Sequence, residues 1–320
     1  MGLVWITGAR GFLGRHLVRR FVSEGFDVAG LGIGAPADAG VQTLGLVTLA
    51  GAPAWIEAPI STEALDRLFA LTGPPQVVVH AAGSGAVAAS FADPLTDFRL
   101  AVETTALVID HLRRRAPEAR LVLPSSAAIY GAKPEGPIDE AAPPAPVSPY
   151  GTHKLAAEAL CLGAHTGFGL RISIIRYFSL YGPTLRKQFL FEIGRRLQDD
   201  PEEILLAGTG EETRDLLQVE DAARLAVAAA AASDPFLIVN GGTGRATSVR
   251  RALELLTGAL GRRTRLSFTG VIREGDPKHL CASTARMRAL GFDPAATIPV
   301  ERGIADFAAW LARDGMEQSP

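Results

Sequence analysis

Over the first 130 residues, short apolar runs alternate with helical stripes, the pattern of parallel strands joined by helices. Leu3–Thr7 is continuous and apolar enough for a buried strand. From Leu13, apolar side chains at positions 17, 18, 21 and 22 share one helix face, and Gly25 supplies a stop. Val28–Leu31 predicts the next strand, a Gly/Ala/Pro-rich loop runs through Gly40, and Leu44–Leu49 predicts a weaker strand. Ser61 and Thr62 can cap a helix through Leu71, and Gln76–Val79 is a β-branched strand. Pro94 stands at a helix entrance, after which Leu95, Phe98, Val102, Leu107, Val108 and Leu112 carry a helical stripe to Arg115. Leu121–Ser125 predicts a strand, Pro134–Pro149 a loop, Tyr150–Ala164 a helix and Leu170–Arg176 a further strand. Beyond about residue 180 the alternation weakens, with Gly/Pro breaks at 182–183, 208–210, 241–244 and 275–277.

Composition adds exclusions. The 320 residues are 48% hydrophobic and 21% charged, which excludes disorder, and the formal net charge of −2 offers no basic field to nucleic acid or an acidic membrane. Arg113–Arg115 reads as a solvated helix end. Cys161 and Cys281 are the only cysteines, too few for a disulfide framework or zinc cluster, which fits a reducing cytoplasm. The first apolar run stops at Thr7-Gly8, short of a signal-peptide core, and the Ala222–Ala232 stretch contains Arg224 and is too short for a bilayer. The expectation is a soluble, cytoplasmic protein. His16, His80, His111, His153, His165 and His279 show no metal-ligand spacing, so no metal is expected. No serine sits in a G-x-S-x-G elbow, which leaves a hydrolase unsupported.

The chemistry begins at Thr7-Gly8-Ala9-Arg10-Gly11-Phe12-Leu13-Gly14, between the first strand and first helix. Glycines spaced G-x-x-G-x-x-G let backbone N–H groups approach a pyrophosphate at the helix N-terminus. Further along, Tyr150 and Lys154 are four apart on a helical stretch and share a face. A nearby ammonium favours the phenolate of a tyrosine, so the pair suits proton transfer at a hydroxyl. Ser126 ends a predicted strand and could hydrogen-bond the same oxygen.

These motifs, with His80-Ala81-Ala82-Gly83, Ser125-Ser126 ahead of Ile129-Tyr130-Gly131, Tyr150-Gly151-Thr152-His153-Lys154, Arg176–Pro183 and Thr213–Asp221, stand in order along nearly the whole chain. Together they resemble an extended short-chain dehydrogenase/reductase of the nucleotide-sugar epimerase/dehydratase family. The resemblance implies an α/β fold, a Rossmann-like doubly wound parallel sheet with a smaller C-terminal α/β substrate-binding subdomain. It places the dinucleotide domain at 1–180, with 213–242 returning to it, and the substrate subdomain at 181–320. It implies that Gly8, Arg10, Gly11, Phe12, Leu13, Gly14, His80, Ala81, Ala82, Tyr150, Lys154 and Tyr177 line the cofactor, with Lys154 on the nicotinamide ribose. Ser126, Tyr150 and Lys154 would be catalytic. Ser84, Val87, Ser126, Ser179, Arg214, Arg273 and Asp276 would meet a nucleotide diphosphate sugar, Arg214 gripping the diphosphate. Ser179 stands where the family usually has Asn. The helices matching Leu95–Arg115 and Tyr150–Ala164 imply a homodimer.

Departures from the family pattern narrow the reaction. Ser126 is followed by Ala127-Ala128, neither of which moves a proton, whereas the resembled 4,6-dehydratases and decarboxylases carry acidic residues there. What remains is a C4-epimerase working through a 4-keto intermediate, or an NADPH-dependent reductase of a 4-keto-6-deoxy sugar. A relative that binds dinucleotide without turnover is a third class, and retention of Tyr150 and Lys154 argues against it. The acid expected at the end of the second strand is replaced by Gly32, Ala58-Pro59 stands where an adenine-binding Asp is expected, and Arg10 lies in the glycine turn. NAD or NADP is therefore expected, with Gly32 and Arg10 favouring NADP.

Overall fold

The computed structural model describes residues 2–34, 48–49, 52–83, 85, 87–132, 136–271 and 278–317. The chain opens with β1 (Leu3–Thr7), α1 (Phe12–Ser23) and β2 (Asp27–Gly32). A two-residue ladder, β3 (Thr48–Leu49) with β4 (Ala52–Pro53), precedes β5 (Trp55–Glu57), α2 (Thr62–Thr72) and β6 (Val77–His80). Then come α3 (Val87–Ala92), α4 (Pro94–Phe98), a π-helical turn (Arg99–Glu103), α5 (Thr104–Arg115) and β7 (Arg120–Ser126). A 3₁₀ turn (Ala127–Tyr130), α6 (Pro149–Phe168) and β8 (Arg171–Tyr177) follow. The remainder is β9 (Ser179–Tyr181), α7 (Gln188–Gln198), β10 (Glu203–Leu206), β11 (Thr213–Gln218), α8 (Val219–Ala230), β12 (Phe236–Gly241), β13 (Ala246–Ser248), α9 (Val249–Ala259), β14 (Arg265–Phe268), α10 (Ala285–Ala289) and α11 (Val300–Glu317).

Seven strands form one parallel sheet in the order β12-β8-β7-β6-β1-β2-β5. The chain winds from β1 toward β5 and then, from β6, the other way. The reversal opens a crevice beyond the carboxyl ends of β1 and β6, where a doubly wound sheet takes its ligand. Val4, Ile6, Leu17, Phe21 and Ala226 fill the core under α1 and α8, and Trp5, Leu31, Leu65, Leu112 and Cys161 fill the opposite one. The apolar runs predicted from the sequence are buried on both faces, as a parallel sheet requires. A third core, with Leu190, Leu256, Phe307 and Leu311, joins α7, α9 and α11. The chain crosses back from there, since α8 packs on α1 and β12 extends the sheet beside β8.

The expected continuous helix of 95–115 is broken. Its stripe does not point inward throughout: Leu95 is 57% and Phe98 42% exposed, whereas Val108 and Leu112 are buried. The π turn between them accounts for the difference, because an extra residue in one turn rotates the face that follows. Most of the predicted 44–49 strand lies outside the described residues, which include only Thr48 and Leu49 of it. Ser61 caps α2 as expected, accepting from Ala64 N at 3.2 Å. Among the described residues no helix is long and apolar enough to cross a membrane.

Candidate active site

The glycine turn sits at the switch point. Gly8 has φ +67°, and a Cβ there would come within 2.7 Å of Ala82 N; one on Gly14 would lie 2.0 Å from Gly8 O. Backbone therefore meets backbone where the resemblance places a pyrophosphate. Gly11 is the N-cap of α1 and contributes no side-chain cap, so the first N–H groups of the helix fit an anionic ligand. Phe12 and Leu13 start the helix and point into the third and first cores.

The turn is tied to the His80-Ala81-Ala82 segment by a chain of hydrogen bonds. Ala82 N donates to Thr7 Oγ1 at 3.2 Å, Thr7 Oγ1 lies 2.8 Å from His80 Nδ1, and His80 Nε2 lies 3.2 Å from Thr104 Oγ1. Thr104 in turn donates to Leu100 O at 2.7 Å, so it accepts from His80 Nε2–H while Thr7 donates to Nδ1. The ring is neutral in this arrangement, and burial with the Lys154 charge pushes its pKa down to about 3. His80 is thus a strut under the glycine turn, with both ring nitrogens committed. Tyr177 is likewise engaged elsewhere: it is buried, and its hydroxyl donates to Ala222 O at 2.8 Å.

Ser126, at the end of β7, caps the 3₁₀ turn through Ala128 N at 3.2 Å and hydrogen-bonds the Tyr150 hydroxyl. Tyr150 lies in the first turn of α6, whose N-cap is Ser148. Lys154 is one turn on. Its ammonium donates to Pro124 O at 3.0 Å and lies 5.9 Å from the centre of the Tyr150 ring. Burial lowers Lys154 to about 8, against the fields of Asp97 and Glu158. Burial raises the Tyr150 pKa, the Ser126 bond offsets it, and Asp97 raises it further.

Sequence reasoning missed Asp97, Lys187 and Glu57. Asp97 is 3% exposed on α4 and bonded to His153 Nδ1 at 2.6 Å. Lys187, whose field reaches Lys154, precedes α7, and Glu57 ends β5 beside Arg10. None belongs to a local motif; only packing brings them in.

In the C-terminal part, Arg214 lines a cavity with Phe189, Leu206, Gly208, Glu212 and Val249. Asp215 serves otherwise than as a surface partner of Arg214: it is fully buried and accepts from Thr243 N, Gly244 N and Ala282 N at 2.6–3.0 Å. Ser179 is half-buried on β9 beside Leu216, and Val87 is 45% exposed at the start of α3. Ser84, Arg273 and Asp276 lie outside the described residues. Among the described residues no group of three or more His, Cys, Asp or Glu could hold a metal ion.

Residues 4–241 match the NAD dependent epimerase/dehydratase family. The chain belongs to this family. Within it, the chain is similar to a UDP-glucose 4-epimerase from Azospirillum brasilense, at 30% identity covering 91% of this chain and 87% of the relative. A UDP-glucose 4-epimerase solved with UDP-glucose, from Thermotoga maritima, has a TM-score of 0.85 at 25% identity, covering 98% of this chain and 99% of its own. The UDP-glucose 4-epimerase of Thermus thermophilus, solved with NAD, has a TM-score of 0.83 at 25% identity, covering 97% and 99%. Other family relatives bear dehydratase and reductase names. The family resemblance read from the motifs is thereby borne out, as is the doubly wound fold.

Proposed function

We propose that the protein is a C4-epimerase of a nucleoside diphosphate sugar, acting through a transient 4-keto intermediate. The observation that carries this reading is the Ser126–Tyr150–Lys154 cluster at the switch point, followed by Ala127 and Ala128. Bound nicotinamide supplies the hydride acceptor and a positive charge that favours the phenolate. Tyr150 takes the proton of the C4 hydroxyl and returns it, Ser126 holds the same oxygen, and Lys154 binds the cofactor ribose. Ala127 and Ala128 cannot protonate a leaving hydroxyl, which weighs against a dehydratase despite the relatives so named.

Residues 1–180 with 213–242 would carry the dinucleotide and 181–320 the nucleotide sugar, with Arg214 on the diphosphate. The 4-ketoreductase reading draws on Arg10 and Gly32, which point to NADP, and differs by consuming NADPH each turnover. Arg10, however, is already paired with Glu57, and named neighbours are solved with NAD, so NAD is favoured here. Exposed Leu95, Leu100 and Leu160 on α4, the π turn and α6 support the homodimer. Two free cysteines fit the cytoplasm.

Tyr150→Phe removes only the hydroxyl. Epimerisation of UDP-sugars should fall by about 10²–10⁴-fold with cofactor affinity retained. Undiminished turnover would refute the assignment.

A further inference from the structure

We propose that Glu57, on β5, is the carboxylate that receives the adenosine ribose of the dinucleotide, and that its pairing with Arg10 sets a preference for NAD over NADP. This rests on the dinucleotide-binding part of the reading above and not on the reaction at the sugar.

In a doubly wound fold an acid at the end of the second strand holds the ribose hydroxyls. Here that position is Gly32, and the reason is steric. A Cβ on Gly32 would come 3.2 Å from Gly8 N and 3.3 Å from Gly8 Cα, closer than the turn can easily yield. The turn is pinned there, because Gly8 N donates to Leu31 O at 2.7 Å. The tight seating of the glycine turn on β2 therefore disfavours a carboxylate side chain at the usual place.

The neighbouring strand supplies one. Gly32 and Glu57 are partners in the parallel ladder of β2 and β5. Side chains alternate along β5: Ile56 enters the core under α2, whereas Trp55 lies over Gly30 on the side of the glycine turn. Glu57, two residues after Trp55, shares that side. Its Oε2 lies 3.5 Å from Arg10 Nη1, and its side chain remains 46% exposed.

Arg10, in contrast, is enclosed. Its side chain is 12% exposed, its guanidinium stacks 4.4 Å over Trp55, and it donates to Gly34 O. The arginine is thus held by a ring, a carbonyl and a carboxylate, while Glu57 keeps open accepting positions. A vicinal ribose diol offers two O–H donors to such a carboxylate. A 2′-phosphate would bring about two negative charges against Glu57 and would have to strip Arg10 from its partners.

The test is binding of NAD and NADP to the purified protein without sugar, followed by calorimetry and by the fluorescence of Trp55 beside the site. Wild type should bind NAD at least about tenfold more tightly, and any dinucleotide that co-purifies should be NAD. Glu57→Gln should weaken NAD by about tenfold and shift the NAD/NADP affinity ratio toward NADP, since Arg10 is released. Arg10→Ala should keep the preference for NAD. A wild type that prefers NADP, that binds neither, or whose affinity ratio survives Glu57→Gln unchanged overturns the proposal. The ratio is insensitive to a general loss of folded protein. Because no sugar is present, inactivity toward nucleotide sugars leaves a positive result standing, and a lost preference leaves the epimerase reading intact.

Discussion

Asp97 lies buried on α4, bonded to His153 Nδ1 at 2.6 Å, and its charge is felt at both Tyr150 and Lys154. On Lys154 it opposes burial and the Lys187 charge and, with Glu158, favours the ammonium. On Tyr150 it acts with burial, against the Ser126 hydrogen bond, and favours the neutral phenol. Its negative field thus raises both pKa values. Loss of the charge should lower both: Tyr150 would release its proton at lower pH, and Lys154, near 8 already, would lose its charge at lower pH. The pH dependence of kcat/KM of Asp97→Asn should therefore move toward acid, by on the order of one unit for a charge several ångströms away. A profile that stays in place would leave Asp97 a packing role between α4 and α6. The residues proposed as catalytic were legible because their spacing is local: Tyr150 and Lys154 share a helix turn, and Ser126 ends an apolar run. Asp97 was not, because 53 positions separate it from Tyr150 and only the packing of α4 on α6 brings them together.

At the scale of elements, a buried ion pair fastens α6 to the sheet. Arg176, on β8, donates to Glu158 on α6 at 2.7 Å, and both are about 5% exposed. Ser125 on β7 donates to the same carboxylate at 2.5 Å, and Arg176 also donates to Tyr130 Oη at 3.0 Å, which donates to Asn240 of β12 at 2.7 Å. Removing one member leaves the other charge buried, at a cost of about 3–5 kcal/mol. Glu158→Gln should lose that much in urea unfolding, and adding Arg176→Met should recover part of it. Equal losses for the single and double variants would mean the cost is packing and not charge. The sequence revealed β7 and β8 to within a residue or so, since each is an apolar run, but predicted no strand at β12. It showed Arg176 only as a motif letter, because the partners of its side chain come from 18 to 46 residues away. The helix break at 99–103 was equally hidden, since Arg99–Glu103 holds no Gly or Pro to mark it. Past residue 180 several strands are short and paired at a distance, as β10 is with β14, so their local pattern is weak.

For the molecule as a whole, α4, the π turn, α5 and α6 form one surface, and α5 packs beside α6. This surface carries large exposed apolar side chains: Leu95 on α4 at 57%, Leu100 in the π turn at 38%, and Leu160 on α6 at 37% exposed. Exposed apolar surface shared by adjacent helices is what an isologous pairing of two copies would cover. The same helices hold Asp97 and His153 against each other beneath Tyr150, so pairing would also brace the catalytic side of the crevice. The protein should sediment as a dimer at micromolar concentration. Leu100→Glu with Leu160→Glu places charges in the covered face and should yield a folded monomer with lower kcat. Its dinucleotide affinity should change little, because the glycine turn lies on α1, away from this surface. A wild type that sediments as a monomer, or a monomeric variant with full kcat, would separate assembly from catalysis and leave the exposure of these leucines without that explanation.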